Sequence, residues 1–301
     1  MTDLATMLKA RGVLLMDGGM GQELRRRSPL GDHPLWSAKV MAEQPGLVRA
    51  LHREFIDAGA RVIITNTYAT SRHRLAAEGM EERFAELVTL GGRLACEARA
   101  ESGREVLVAG SLPPLHGSYR PDLVRSFEEI APVYREHAEL LAPHVDLLLC
   151  ETMSSAEEAR AAAHAAATTG KPVWVAWTLK DGGSTALRSG ESLDRAWAAL
   201  DGIPVEAVLV NCCSPESITA AMPELAALGP PAGAYANGFA PIPKDWLVTQ
   251  GTARLGHRDE LTPEAYCRHA ARWIETGARI VGGCCEVGPE HIRAIREMLE
   301  G

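Results

Sequence analysis

Short, almost uninterrupted apolar segments alternate along this chain with longer segments in which apolar and charged residues recur at helical spacing. The apolar segments, rich in Val, Leu and Ile, predict eight β-strands, at residues 13–17, 61–66, 105–111, 145–151, 172–178, 205–211, 232–237 and 278–283. Continuous rather than alternating apolar character is typical of parallel strands that are covered by helices. The pattern therefore predicts a repeated strand–helix unit.

The segments between the strands carry recognisable helix boundaries. One begins at Pro45 and stops near Gly59, as expected for proline in a first turn and glycine after a last turn. Another, within residues 121–145, has helical spacing but contains Pro132, which predicts a kink or a break. Eight such units in a chain of 301 residues predict a (β/α)8 TIM barrel, an α/β fold, as a single domain over residues 1–301.

A doubly wound α/β sheet is the alternative fold, but its usual fingerprint is missing from the sequence. The segment DGGMGQEL at 17–24 is rich in glycine, yet its spacing fits neither a G-x-G-x-x-G dinucleotide turn nor a P-loop. The barrel is therefore preferred. The loops with most proline and glycine, at 179–190 and 238–260, are expected to be excursions of the barrel and not domain boundaries.

Composition and charge exclude several classes of protein. The chain is 46% hydrophobic and 23% charged, with a formal net charge of -8, and its short basic run at 25–27 does not predict a nucleic-acid surface. No segment approaches the ~18 consecutive apolar residues of a membrane span, and the N-terminus lacks a signal-peptide pattern. We therefore expect a cytoplasmic protein. Its 7 cysteines, an odd number, argue against a disulfide scaffold and leave metal binding, catalysis or packing.

Two pairs of cysteines follow predicted strands. Cys212 and Cys213 follow the sixth strand, and Cys284 and Cys285 follow the eighth, behind the glycines at 282–283 that permit a bend. In a TIM barrel the C-terminal ends of the strands form one rim, where the chemistry takes place. Three thiolates and an open fourth position describe a catalytic zinc site. The spacing does not decide between the two cysteines of the first pair, and burial as small hydrophobic residues is the alternative.

The sequences NCC at 211–213, GGCC at 282–285 with PEHIRAI after it, and MDGGMGQEL at 16–24 together resemble the homocysteine S-methyltransferase family. The resemblance extends from the first strand to the last helix. It implies a homocysteine-binding TIM barrel with Zn²⁺ held by Cys212, Cys284 and Cys285, and it leaves Cys213 to packing. The implied reaction moves a methyl group from a small cationic donor to the thiol of homocysteine, giving methionine.

The resemblance also implies residues that bind the amino-acid end of homocysteine. Asp17 and Glu151, at the ends of the first and fourth strands, are expected to hold the ammonium group. The backbone N–H groups of Gly18 and Gly19 are expected to meet the carboxylate. A helix N-cap is the alternative role for Asp17, and a salt bridge at the rim is the alternative for Glu151.

Three more polar residues end strands: Thr65, Asn66 and Asn211. They are expected to donate hydrogen bonds to the substrate or to the sulfur on zinc, with turn formation as the alternative. Trp36, in the loop after the first strand, is a candidate for stacking on a methylated cation. Packing beneath that loop is its alternative role.

The identity of the donor rests on weaker signals. The stretch GSYRPD at 117–122 resembles the S-methylmethionine-type members, which favours S-methylmethionine or S-adenosylmethionine over a betaine-type donor. The sequence ends at Gly301, so we expect no folate- or cobalamin-binding module and a free small molecule as donor. Homocysteine and selenohomocysteine are both candidate acceptors. The competing functions are a barrel enzyme that binds phosphate at the glycines 282–283 and a non-catalytic zinc- or thiol-binding protein.

Overall fold

A closed ring of eight parallel strands forms the centre of the molecule in a computed structural model, which describes residues 3–30, 33–243, 246 and 255–301. The strands are β1 Leu14–Leu15, β2 Val62–Ile64, β3 Leu107–Leu112, β4 Leu147–Met153, β5 Val173–Trp177, β6 Val205–Asn211, β7 Ala232–Ala236 and β8 Ala278–Gly283. They pair in the order β1-β8-β7-β6-β5-β4-β3-β2. A parallel bridge between Met16 and Val62 joins the two ends of this sheet. The predicted TIM barrel is confirmed, and the doubly wound sheet is excluded because such a sheet has open edges.

Helices cover the outside of the ring. In chain order they are α1 Leu4–Arg11, α2 Met20–Arg27, α3 Ser37–Glu43, α4 Pro45–Ala58, α5 Arg72–Ala77, α6 Phe84–Ser102, α7 Phe127–Leu141, α8 Ala156–Ala167, α9 Leu193–Ala198, α10 Pro215–Ala226, α11 Pro263–Glu275 and α12 Pro289–Glu300. Within the described part of the chain, no helix has both the length and the apolar character that crossing a membrane requires.

The predicted strands coincide with the observed ones at β6 and β8, and β1 is shorter than predicted, with two residues in place of five. There the chain changes partner: the N–H of Met16 donates to the carbonyl of Val281 at 2.7 Å, but the N–H of Asp17 donates to Val62 at 2.9 Å. The first strand is therefore short because its end closes the ring. Helix α7 continues through Pro132, so the predicted break is wrong. The carbonyl that this proline leaves unpaired belongs to Glu128, which is exposed and can bind water.

The side chains of each strand alternate between two apolar clusters. In β4, Leu147 and Leu149 point into the barrel, whereas Leu148 and Cys150 face the helices. Helix α1 contributes Leu4 and Met7 to the inner cluster. The barrel is therefore filled with side chains, and space for a ligand is left only beyond the strand ends.

Tyr266 of α11 fixes the ends of β7 and β8 relative to each other. Its buried hydroxyl accepts the N–H of Ala236 at 2.9 Å and donates to the carbonyl of Gly282 at 2.8 Å. Just beyond, the N–H of Cys284 donates to the carbonyl of Ala236 at 2.8 Å. The tyrosine therefore holds the backbone from which two candidate ligands emerge.

We expect Tyr266→Phe to lower the free energy of unfolding by about 1–3 kcal/mol, because two buried backbone groups lose their partner. Denaturant unfolding of the purified protein measures the change. Tyr134→Phe is a control with less to lose, since that buried hydroxyl has one backbone partner, Leu115, and is otherwise directed at the sulfur of Met153 at 4.0 Å. Equal stability of Tyr266→Phe and the unchanged protein would contradict the assignment.

Candidate metal centre

Cys212 enters the site through an unusual backbone conformation. Its φ of 50° lies in the left-handed region, which costs a residue other than glycine about 1–3 kcal/mol. The N–H of Cys212 donates to the carbonyl of Tyr235 at 3.0 Å, so the bend remains attached to β7. Cys213 points the other way, into the outer apolar cluster. The structure thus separates the two adjacent cysteines that spacing alone left equivalent.

The turn after β8 brings Cys284 and Cys285 to the same side. The N–H of Val287 donates to the carbonyl of Cys284 at 3.2 Å, which closes the turn. Gly19 packs directly against it: a Cβ atom there would lie 2.6 Å from the carbonyl oxygen of Cys284. Only glycine at this position allows so close an approach.

The three sulfurs of Cys212, Cys284 and Cys285 lie within 4.8 Å of one another. The Sγ atom of Cys212 is 2.7 Å from that of Cys284 and 3.9 Å from that of Cys285. Sulfurs that share a tetrahedral Zn²⁺ are ~3.8 Å apart, so the second separation matches such a site and the first is shorter. The prediction that cysteines from two distant segments converge is borne out in their geometry.

The three thiols of this cluster differ in pKa. Burial acts to raise the pKa of Cys212, but hydrogen bonds from Cys284, Cys285 and Tyr119 outweigh it and hold that pKa well below its usual value. Burial raises the pKa of Cys284 well above its usual value, and the hydrogen bond with Cys212 does the same for Cys285. The protein alone therefore stabilises one thiolate. Three adjacent thiolates require a cation, and this donor set fits a sulfur-preferring divalent metal.

The three sulfurs line an open cavity beyond the ends of the strands. Asp17 and Glu151 line it, both nearly buried. One oxygen of Asp17 accepts the N–H of Ile64 at 2.8 Å, and the other is buried without a partner. Glu151 accepts hydrogen bonds from the hydroxyls of Ser111 and Tyr235. Burial raises the pKa of both carboxyls, that of Glu151 to about 7. An unpaired buried carboxylate oxygen is suited to a cationic group.

Thr65 and Asn66 also line the cavity, but their side chains are already engaged. The hydroxyl of Thr65 accepts the N–H of Ser111 at 3.0 Å, and the amide of Asn66 donates to the carbonyl of Ser37 at 3.1 Å. The N–H of Gly19, expected to bind a carboxylate, donates instead to Val287 at 2.8 Å. The structure therefore assigns Gly19 to close packing, and leaves Gly18 alone for that backbone contact.

Asn211 is not part of the cavity lining. Its side-chain oxygen accepts the N–H of Thr152 at 2.9 Å, and its amide donates to the hydroxyl of Thr152 at 2.9 Å. Both polar ends are thus used inside the protein. Trp36 does line the cavity, with its ring against Gly21 and its indole nitrogen buried without a hydrogen-bond partner.

An aromatic wall beside the sulfurs was missed by the sequence analysis. It consists of Tyr68, Tyr119, Tyr235, Phe239 and Trp246. The hydroxyl of Tyr119 is 3.0 Å from the sulfur of Cys212, and its ring centroid is 5.7 Å from that of Trp246. Tyr235 comes from β7 and the others from loops in three separate parts of the chain, so no local spacing could have grouped them. The only signal was the motif at 117–122, which contains Tyr119.

Known proteins resemble this chain over nearly its whole length. The sequence model of the family described as homocysteine S-methyltransferase matches residues 14–299. The homocysteine S-methyltransferase of Escherichia coli (strain K12) is 33% identical, with 97% of both chains covered. The selenocysteine methyltransferase of Astragalus bisulcatus is 30% identical, over 94% of this chain and 91% of that one. The metallated form of the E. coli homocysteine methyltransferase MmuM superposes with a TM-score of 0.82 and 32% identity, covering 98% of this chain and 99% of that one.

We expect the purified protein to bind about one thiophilic metal ion per chain, and to lose it in Cys212→Ala, Cys284→Ala and Cys285→Ala. Cys213→Ala is the matched control and should keep the metal, because that buried thiol faces the outer cluster. Elemental analysis and the charge-transfer absorption of a cobalt-substituted sample measure the loss. Retention of the metal by Cys212→Ala, or its loss from the control alone, would contradict the assignment.

Proposed function

This chain belongs to the homocysteine S-methyltransferase family, and we propose that it transfers a methyl group from a small cationic donor to the thiol of homocysteine, giving methionine. The observation that carries the proposal is the convergence of three cysteine sulfurs at the edge of a cavity that also contains two nearly buried carboxylates. We also propose that residues 1–301 form a single domain.

We assign the metal to Zn²⁺, with Cys212, Cys284 and Cys285 as its ligands. Three thiolates with a vacant fourth position are typical of a catalytic and not of a structural zinc. When bound there, Zn²⁺ would make the thiol of homocysteine lose its proton near neutral pH, where a free thiol is mostly protonated. Cys212 is buried and Cys284 and Cys285 are partly buried, which supports this assignment because it limits competition from water.

The protein's own residues would orient homocysteine. Its ammonium group would bind the free oxygen of Asp17, with Glu151 as the second anionic partner, and its carboxylate would meet the N–H of Gly18. Thr65 and Asn66 would fix the loop beneath the substrate through the hydrogen bonds that they already make. Asn211 would act indirectly, by holding Thr152 next to Glu151.

The transfer itself is a displacement at the methyl carbon. The sulfur of homocysteine forms a bond to that carbon while the bond to the donor's sulfonium or ammonium breaks, and the electron pair stays on the donor. One proton, from the thiol, is released per turnover. The aromatic wall and Trp36 would stabilise the donor's positive charge until the bond breaks. We favour S-methylmethionine or S-adenosylmethionine over a betaine-type donor.

The two competing functions receive less support from the geometry. A phosphate cradle at Gly282 and Gly283 is disfavoured, since the positions next to these glycines are filled by Met16 and Val287. A protein that only bound metal would have no use for buried carboxylates beside the cysteines. The orphan oxygen of Asp17 therefore favours an enzyme with an amino-acid substrate.

We expect the zinc-loaded protein to form methionine from homocysteine with S-methylmethionine or S-adenosylmethionine, measured by chromatography. Cys285→Ala should lose more activity than the ~10–100-fold that changes around a metal site typically cost, since it removes a ligand itself. Cys213→Ala should remain active. Activity with glycine betaine alone would reassign the donor, and the absence of methionine with every sulfonium and betaine donor would refute the transferase.

We expect the KM for homocysteine to rise as the pH is lowered from about 8 to about 6. Burial raises the pKa of Glu151 to about 7, so its carboxylate is charged above that pH and loses its attraction for the ammonium group below it. Glu151→Gln should raise the KM at high pH by about 10-fold and remove most of this dependence. Steady-state kinetics across the pH range measure both effects. A Glu151→Gln variant with the original pH profile would show that another group titrates.

A further inference from the structure

Arg74, on the short helix α5, is a buried cation that faces the cavity. Arg74 is 7% exposed and lines the cavity. One terminal nitrogen is 3.4 Å from the hydroxyl of Ser118, and the other is buried without a hydrogen-bond partner. The guanidinium carbon is 5.5 Å from the ring centroid of Tyr68. Among residues 3–30, 33–243, 246 and 255–301, no carboxylate forms an ion pair with it.

Arg72, two positions earlier on the same helix, shows the ordinary arrangement. Its side chain is 35% exposed and forms ion pairs with Glu136 and Glu81. The partly exposed Arg72 therefore has two carboxylate partners, whereas the buried Arg74 has none among the described residues. Arg74 therefore has hydrogen-bonding capacity that the described residues leave unused.

An unpaired guanidinium is an expensive group to bury. Burial lowers the pKa of Arg74 from its usual value, but arginine stays charged in proteins. Its buried N–H groups no longer bind water, and the protein replaces few of those hydrogen bonds. A carboxylate would satisfy them in pairs, because the planar fork of guanidinium matches two carboxylate oxygens.

The surroundings of Arg74 indicate which part of the cavity this carboxylate would occupy. Arg74 lies beside the aromatic wall: its guanidinium carbon is 5.5 Å from the ring centroid of Tyr68, and Ser118, which it contacts, is followed directly by Tyr119. The carboxyls of Asp17 and Glu151 line the same cavity. The cavity thus has a pair of carboxyls, suited to the ammonium of homocysteine, and a cationic residue on the side of the aromatic wall.

We propose that Arg74 binds the carboxylate of the methyl donor, so that the enzyme selects sulfonium or quaternary ammonium donors that also carry a carboxylate. This inference rests on the proposed methyl transfer. The donor's cation would lie against the aromatic wall beside the sulfurs, and its carboxylate would extend to Arg74. The carboxylate of homocysteine is the other possible source of the same chemistry. It is disfavoured because the ammonium of homocysteine would be held at Asp17 and Glu151.

The test combines a change in the protein with a change in the donor. S-methylmethionine is compared with (3-aminopropyl)dimethylsulfonium, which is the same molecule without its carboxylate, in the unchanged enzyme and in Arg74→Gln. We expect the unchanged enzyme to prefer S-methylmethionine in kcat/KM by about 10- to 100-fold, and Arg74→Gln to lose that preference. The KM for homocysteine should stay the same. Arg72→Gln is the matched control and should behave as the unchanged enzyme.

Two outcomes of the kinetics would overturn the proposal. An Arg74→Gln enzyme that still prefers S-methylmethionine would show that another group recognises the carboxylate. A raised KM for homocysteine, with the preference between donors intact, would transfer the role of Arg74 to the acceptor. Arg74→Lys, which keeps the charge but loses the fork, should fall between the two enzymes and serves as the main variant if Arg74→Gln does not fold.

A binding measurement separates this inference from the proposed reaction. Calorimetric titration of the metal-loaded protein with each sulfonium compound needs no turnover. If no methyl transfer occurs with any donor, the proposed function fails. Tighter binding of S-methylmethionine than of its carboxylate-free analogue, lost in Arg74→Gln, would still support the carboxylate site. Equal binding of the two compounds by the unchanged protein would refute it.

Discussion

The convergence of three cysteine sulfurs at one point is the constraint on which the rest of the site depends. Cys212, Cys284 and Cys285 come from the ends of β6 and β8, and only the pKa of Cys212 lies below its usual value, so the protein alone stabilises one thiolate. Several features of the backbone keep the three side chains together. Gly19 allows the turn at 284–287 to approach, and Tyr266 fixes the ends of β7 and β8. A cation between the sulfurs would allow all three to become thiolates, because it would offset the repulsion between their charges.

The cavity also contains ionisable side chains of both signs. Asp17 and Glu151 add two carboxyls with raised pKa values at one end, and Arg74 adds one unpaired cation beside the aromatic wall. One oxygen of Asp17 and one nitrogen of Arg74 are buried without a partner, which is costly, whereas Glu151 accepts hydrogen bonds from Ser111 and Tyr235. An ammonium group beside the carboxyls and a carboxylate beside Arg74 would satisfy the unpaired atoms. These atoms therefore indicate the chemistry of what the cavity would bind.

The sequence predicted the barrel and the strand ends from which the three cysteines emerge, because both follow from the apolar segments. Apolar segments locate strands, and a residue directly after a parallel strand has its position set by the fold. The roles of Asn211 and Gly19 were less predictable. Asn211 bonds to Thr152 and Gly19 bonds to Val287, and both partners are remote in sequence. Most of the aromatic wall comes from loops and Arg74 from the short helix α5, and tertiary contacts, not periodicity, bring these side chains together.

The alternation of side chains in β6 explains both the uncertainty over the first cysteine pair and its resolution. Leu209 points into the barrel and Val210 outward, so regular alternation would place Asn211 inside and Cys212 outside. The left-handed conformation of Cys212 directs its side chain to the cavity instead. In β4, Thr152 has the same kind of conformation, with φ 62°, directly after Glu151. Asn211 joins the two bends through its hydrogen bonds to Thr152. One buried asparagine therefore couples the orientation of a candidate metal ligand to that of a candidate substrate carboxylate.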